Sequence, residues 1–152
     1  MNKNKLLLEQ LDRKLKSFGS AALVTPPPTG WIKGVRKSFG MSLQQLANKL
    51  SITKQSVQEL EKREKEGAIT LKTLKDVANA LDMRLIYGFV PKDGTLDDLI
   101  DRKARELAVN IVSKTSNTMK LEDQENSQKR LKKAIEERTA IIKNEMPKML
   151  WD

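Results

Sequence analysis

The 152-residue sequence contains no cysteine and no histidine. That excludes disulfides, thiolate and imidazole metal ligands, cysteine nucleophiles and every histidine-based triad. Aromatic residues make up 4% and hydrophobic residues 38% of the chain, so its core must be small and aliphatic. Apolar runs such as residues 6–8 fall far short of the ~20 residues that span a bilayer. The N-terminal stretch has lysines but no apolar segment long enough for a secretion signal. No glycine-rich phosphate loop and no paired-carboxylate spacing stands out. These absences predict a cytoplasmic, non-membrane protein that is not an enzyme and needs no cofactor or metal.

What the chain has is charge. It carries 29 Lys and Arg against 20 Asp and Glu, a net of +9, and 32% of its residues are charged. The excess is uneven. Residues 1–54 hold ten basic side chains and two acids, Glu9 and Asp12, whereas residues 55–152 hold 19 bases and 18 acids. The first third is therefore suited to facing a polyanion. A solvated basic surface that only maintains solubility is the alternative.

Periodicity divides the chain. Residues 3–18 place Leu7 or Leu8, Leu11, Leu15 and Phe18 at helical spacing. Pro26, Pro27 and Pro28 then form a stiff linker that no helix crosses. Residues 29–39 read as a helix with Trp31 or Ile32, Val35 and Phe39 on one face, stopped at Gly40. Ser42 and Gln45 match a capping box ahead of Leu43, Leu46, Ala47 and Leu50. Thr53 is a natural N-cap for a helix over residues 54–64 with Val57 and Leu60 inward, and Thr70 opens another containing Leu71, Leu74, Val77, Ala78 and Leu81.

Residues 83–90 are β-branched and aromatic, closed by Pro91, and read as the chain's one strand. A lone strand leaves its backbone unpaired. Its simplest partner is the same strand of a second copy, through Leu85, Ile86, Tyr87 and Phe89, which makes a homodimer. A short extended segment packed on the helices is the alternative. Thr95 and Asp98 resemble a second capping box, followed by helical spacing from Leu96 to Val112. Residues 113–129 read as a loop or frayed helix. Leu131, Ala134, Ile135 and Ile141 or Ile142 restore a helix that Pro147 stops, leaving an apolar tail at Met149, Leu150 and Trp151.

Residues 42–63, SLQQLANKLSITKQSVQELEKR, are two short helices joined by a tight break. Ala47 is small where two helices cross, and Ile52 and Val57 plug the turn. This is helix-turn-helix spacing. Its second helix offers Lys54, Gln55, Gln58, Glu59 and Lys62 outward. Glutamine pairs with adenine in two hydrogen bonds in the major groove, and lysine reaches guanine or phosphate. Lys33, Lys37, Lys49, Arg63 and Lys65 add candidate phosphate contacts, which position without reading sequence. A plain four-helix bundle with an exposed polar face is the alternative.

Residues 31–81 resemble the phage-repressor class of helix-turn-helix domains, the XRE or lambda-repressor-like family. The likeness runs through Gln45, Leu46 and Ala47 and from Thr53 to Glu61. It implies that Gln55 reads bases, that Thr53, Lys54 and Glu59 fall at contact positions, and that Arg36 and Glu61 form a structural ion pair. Two positions depart from the pattern. Leu43 stands where the family often has a contacting glutamine, with Gln44 beside it as a substitute. Glu59 replaces what is often a neutral contact residue, and would accept from cytosine N4 or repel phosphate.

Over nearly its whole length the chain also resembles the "mobile mystery protein A" family. PPTGWI, EGAITLKTL, LIYGFVP and the terminal LWD carry that resemblance. It implies a bacterial mobile-element gene pair with a Fic-domain protein, in which this chain is the antitoxin-like, DNA-binding member. An inhibitory Fic motif has its nearest match at residues 118–123, which reads instead as a solvated loop.

The expected architecture is mainly α: an N-terminal amphipathic helix (1–24), a Pro-rich linker (25–29), a helix-turn-helix domain (30–82), a dimerisation strand (83–91) and a C-terminal helical region (92–152). The expected function is a sequence-specific DNA-binding transcriptional regulator, dimeric on a near-palindromic operator of double-stranded DNA. A protein-interaction module that neutralises a Fic-domain partner is the alternative.

Overall fold

Among the described residues, seven α-helices account for most of the structure. The computed structural model describes residues 3–116 and 124–152. The helices are α1 Lys3–Leu15, α2 Trp31–Ser38, α3 Leu43–Leu50, α4 Lys54–Glu66, α5 Leu71–Ala80, α6 Leu96–Ser116 and α7 Gln124–Glu145. None of the described helices is long and apolar enough to cross a membrane. The chain divides into two compact units, Leu23–Gly88 and the combination of Met1–Ala22 with Phe89–Asp152.

In the first unit, local hydrogen bonds set the helix starts. The Ser42 hydroxyl accepts from the Gln45 N–H at 3.0 Å, while the Gln45 side-chain oxygen accepts from the Ser42 N–H at 2.8 Å. Thr53 and Thr70 cap α4 and α5 by accepting from Ser56 N–H and Thr73 N–H, each at 3.1 Å. Each such cap is worth about 1 kcal/mol. Gly67 ends α4 in the left-handed region, φ +76°, where a residue without Cβ is favoured. Ile32, Leu46, Ala47, Val57, Val77 and Leu81 form the buried core, with Ile52 and Leu60 packed against it. Truncating Leu46, which has no exposed surface, would cost about 2–5 kcal/mol.

The other unit pairs α6 with α7 in a long hairpin, and α1 packs on α6. Its core is Ile100, Ala104, Ala108, Ile142 and Leu150, with Leu8 of α1 packed against it. The small side chains of Ala104 and Ala108 are fully enclosed, so their face of α6 admits neighbours closely. The Asp12 carboxylate, in α1, accepts from Leu96 N–H at 2.8 Å and Asp97 N–H at 3.2 Å. It thereby caps α6 from a distant part of the sequence. Thr95 also serves that helix start, accepting from Asp98 N–H at 3.0 Å.

Three stretches add to the reading of the sequence. Among the described residues no strand is assigned: residues 83–90 pair in no ladder within the single chain, and a strand is defined by its ladder. The polar stretch 113–129, read as a loop or frayed helix, is helical at both ends: α6 runs through Ser116 and α7 starts at Gln124. The apolar tail forms a short 3₁₀ helix, Lys148–Trp151, that buries Leu150. Residues 118–123, the near match to a Fic-inhibitory motif, lie outside the described residues.

Candidate nucleic-acid interface

The geometry of the α3–α4 turn follows from three residues. Ser51 ends α3 in the left-handed region, φ 55°, and donates its N–H to Ala47 and Asn48. Ile52 donates its N–H to the Ala47 carbonyl at 3.0 Å and leans on the core. Thr53, in extended conformation, starts α4. Val57 is wholly buried one turn later. The burial of Ala47 and Val57 fixes the rotation of both helices. Lys54, Gln55, Gln58, Glu59 and Lys62 are consequently exposed.

A buried ion pair sets the tilt of α2 on α4. The Arg36 guanidinium donates to both Glu61 carboxylate oxygens, at 2.6 and 3.3 Å, and to the Met41 carbonyl at 3.0 Å. Only 7% of either residue is exposed. Removing one partner of such a pair leaves an uncompensated buried charge. Glu64, one turn along α4, caps the start of α2. Its carboxylate accepts from Trp31 N–H and Ile32 N–H, each at 2.8 Å. A negative group is favoured at a helix N-terminus. Gly30 makes room for it: a Cβ there would stand 2.8 Å from Glu64 Oε1, and its φ is +88°.

The other candidate contact residues separate by place. Lys33 of α2 and Gln58 and Lys62 of α4 line one cleft, together with Thr29, Arg36, Leu43, Glu61 and Lys65. Lys49 lies elsewhere, in a second depression with Phe39, Gly40, Met41, Gln45 and Asn48. Lys37 is exposed on α2. Gln44 is engaged along its own helix, donating to Asn48 Oδ1 at 2.8 Å. Glu59 and Arg63 face each other one turn apart at 3.4 Å, both about half exposed. In this arrangement Arg63 offsets the negative charge that Glu59 brings to the face.

Residues 32–87 match the helix-turn-helix family model. This segment is a helix-turn-helix domain. Its match is to the XRE-like kind of helix-turn-helix, found in DNA-binding transcription regulators, and α3 and α4 are the two helices of that motif. No curated protein and no solved structure matches the chain.

Sequence reading passed over two carboxylates, Glu64 and Asp12. Glu64 had one signal: it lies three residues after Glu61 and so shares a helical face with it. Asp12 had none, because its partners lie 84 and 85 residues away.

Proposed function

We propose that this protein is a sequence-specific transcriptional regulator that binds a near-palindromic operator as a dimer. The observation that carries the reading is the exposed stripe of Lys54, Gln55, Gln58 and Lys62 on the recognition helix, held in register by the buried Ala47 and Val57. Gln55, near the N-terminal end of α4, reads a base edge, and Thr53 and Lys54 flank it. Glu59 accepts from cytosine N4 when Arg63 releases it. Lys33, Lys37, Lys49, Lys62 and Arg63 hold phosphates. Support for a dimer comes from residues 83–90, where Ile86, Tyr87 and Phe89 are 71%, 61% and 86% exposed. Side chains of this size favour a covered position. A second copy running antiparallel would cover them together with Leu85 and complete a ladder.

Selection of bound duplexes from a random pool tests this reading. The expected product is a two-fold site with half-sites about one helical turn, ~34 Å, apart. Gln55→Ala is expected to cost about 1–3 kcal/mol on the best site and to relax preference at one position. An unchanged preference would mean that α4 does not read the bases.

A second reading rests on the exposed Leu7, Leu11, Ile141 and Trp151 of the unit containing α1, α6 and α7. Apolar side chains there suit a protein partner, and the resemblance to mobile mystery protein A makes that partner a Fic-domain protein and this chain its antitoxin. Copurification with the product of an adjacent Fic gene, lost on Leu7→Glu/Leu11→Glu, is the expected result.

A further inference from the structure

The cleft between α2 and α4 measures about 350 Å³. Three lysines line it: Lys33 from α2, and Lys62 and Lys65 from α4. None of the three takes part in an ion pair among the described residues. The one carboxylate in the lining, Glu61, is held by Arg36. Its neighbour Glu64 is committed to the start of α2. The local balance is therefore positive, and like charges lining one cleft repel unless a counter-charge enters. Thr29 and Gln58 add a hydroxyl and an amide to the same wall.

The cleft also has a definite position on the helix. Gln58, Lys62 and Lys65 fall at i, i+4 and i+7, continuing the stripe that begins at Lys54 and Gln55. A recognition helix that reads bases near its N-terminal end leaves the groove toward its C-terminal end, where it meets the sugar–phosphate wall. Three extra donors from two helices, around one open cleft, suit that place.

We infer that this cleft seats one phosphate group, gripped jointly by Lys33, Lys62 and Lys65. The occupant is a backbone phosphate of the bound duplex or a free phosphate compound. The assignment of the duplex rests on the DNA-binding reading above. The grip joins α2 to the nucleic acid and makes Lys65, the residue furthest from the reading end, a binding residue.

The test uses the full chain and a duplex recovered by selection, with affinity measured over a range of salt. Lys65→Gln is expected to weaken every duplex alike, by about three- to tenfold, and to lower the slope of log K against log salt by about 1. Lys65→Arg is expected to retain both. Lys33→Gln combined with Lys65→Gln is expected to lose less than the product of the two single losses, because both lysines hold one phosphate. A fully multiplicative loss would mean separate phosphates and overturn the shared seat. In a parallel titration with inorganic pyrophosphate, saturable binding that Lys65→Gln abolishes identifies a free phosphate compound as an occupant. A slope change without pyrophosphate binding identifies the duplex. If Lys65→Gln alters neither measurement, the inference fails. If the wild type lacks sequence preference yet still shows the Lys65 effect, the regulator reading fails and the phosphate seat stands.

Discussion

At the scale of single residues, two carboxylates of α4 hold the helix-turn-helix domain in shape. Glu61 neutralises Arg36 in the interior, and Glu64 takes two N–H groups of α2. Arg36→Met alone is expected to destabilise by about 3–5 kcal/mol, whereas Arg36→Met with Glu61→Leu should recover most of that loss. Urea unfolding of the single and double variants checks the sign. Glu64→Ala should cost about 1–2 kcal/mol, the range for a lost helix cap. Gly30→Ala should be destabilising even with Glu64 present, because a methyl group meets the carboxylate and φ is positive. Ser51 carries a left-handed backbone at the turn. Ser51→Gly should stabilise by about 0.5–1 kcal/mol, the relief of strain less glycine's entropy, without changing which DNA is selected.

At the scale of elements, helix starts written in adjacent residues were readable, and those supplied from afar were not. Ser42 with Gln45, Thr53 and Thr70 announce their caps within three residues. Glu64 caps α2 from 32 and 33 residues away, and Asp12 caps α6 from 84 and 85. No window of sequence contains both partners. The candidate reading face was visible because its inward markers, Ala47 and Val57, recur at helical spacing. The convergence of Lys33 with Lys62 and Lys65 was not, since it depends on how α2 leans on α4 through Arg36. Residues 83–90 have the composition of a strand, but composition does not supply a ladder. Weak patterning around residues 113–129 similarly concealed how far α6 and α7 extend.

The α6–α7 hairpin carries its own pH signature. Lys143 lies 3.0 Å from Asp97 and 3.7 Å from Asp101. The hydrogen bond to Asp97, with the charges of both carboxylates, raises the Lys143 pKa above its ordinary 10.5. Its contribution is therefore complete below pH 10.5 and disappears as pH rises through the higher folded value. Asp93 has the opposite sense. Its hydrogen bond from Arg102 lowers its pKa below 3.8, so that contribution is present above this value and fades as pH falls through the lower one. Thermal midpoints of wild type and Lys143→Met should separate at neutral pH and converge only as pH rises through that raised value.

At the scale of the whole molecule, the helix-turn-helix domain has a complete core within residues 23–88. The other unit assembles from chain on both sides of it. Deleting residues 3–16 should speed amide exchange in α6 and around Leu150, since Leu8 and the Asp12 cap are lost. Exchange at Leu46 and Val57 should be unchanged. Equal acceleration in both sets would show that the two cores are not independent.

The same layout imposes an order in time. A ribosome adding about 5–20 residues per second completes α1 early, then needs roughly 4–17 s to deliver the α6 amides that lie 84 residues beyond Asp12. In that interval the leucines of α1 have no α6 to pack against, while all the residues of the DNA-binding domain emerge. The nascent protein thus acquires its helix-turn-helix domain before its flanking unit is complete. Until α6 arrives, the leucine-bearing helix is a segment that a chaperone would hold.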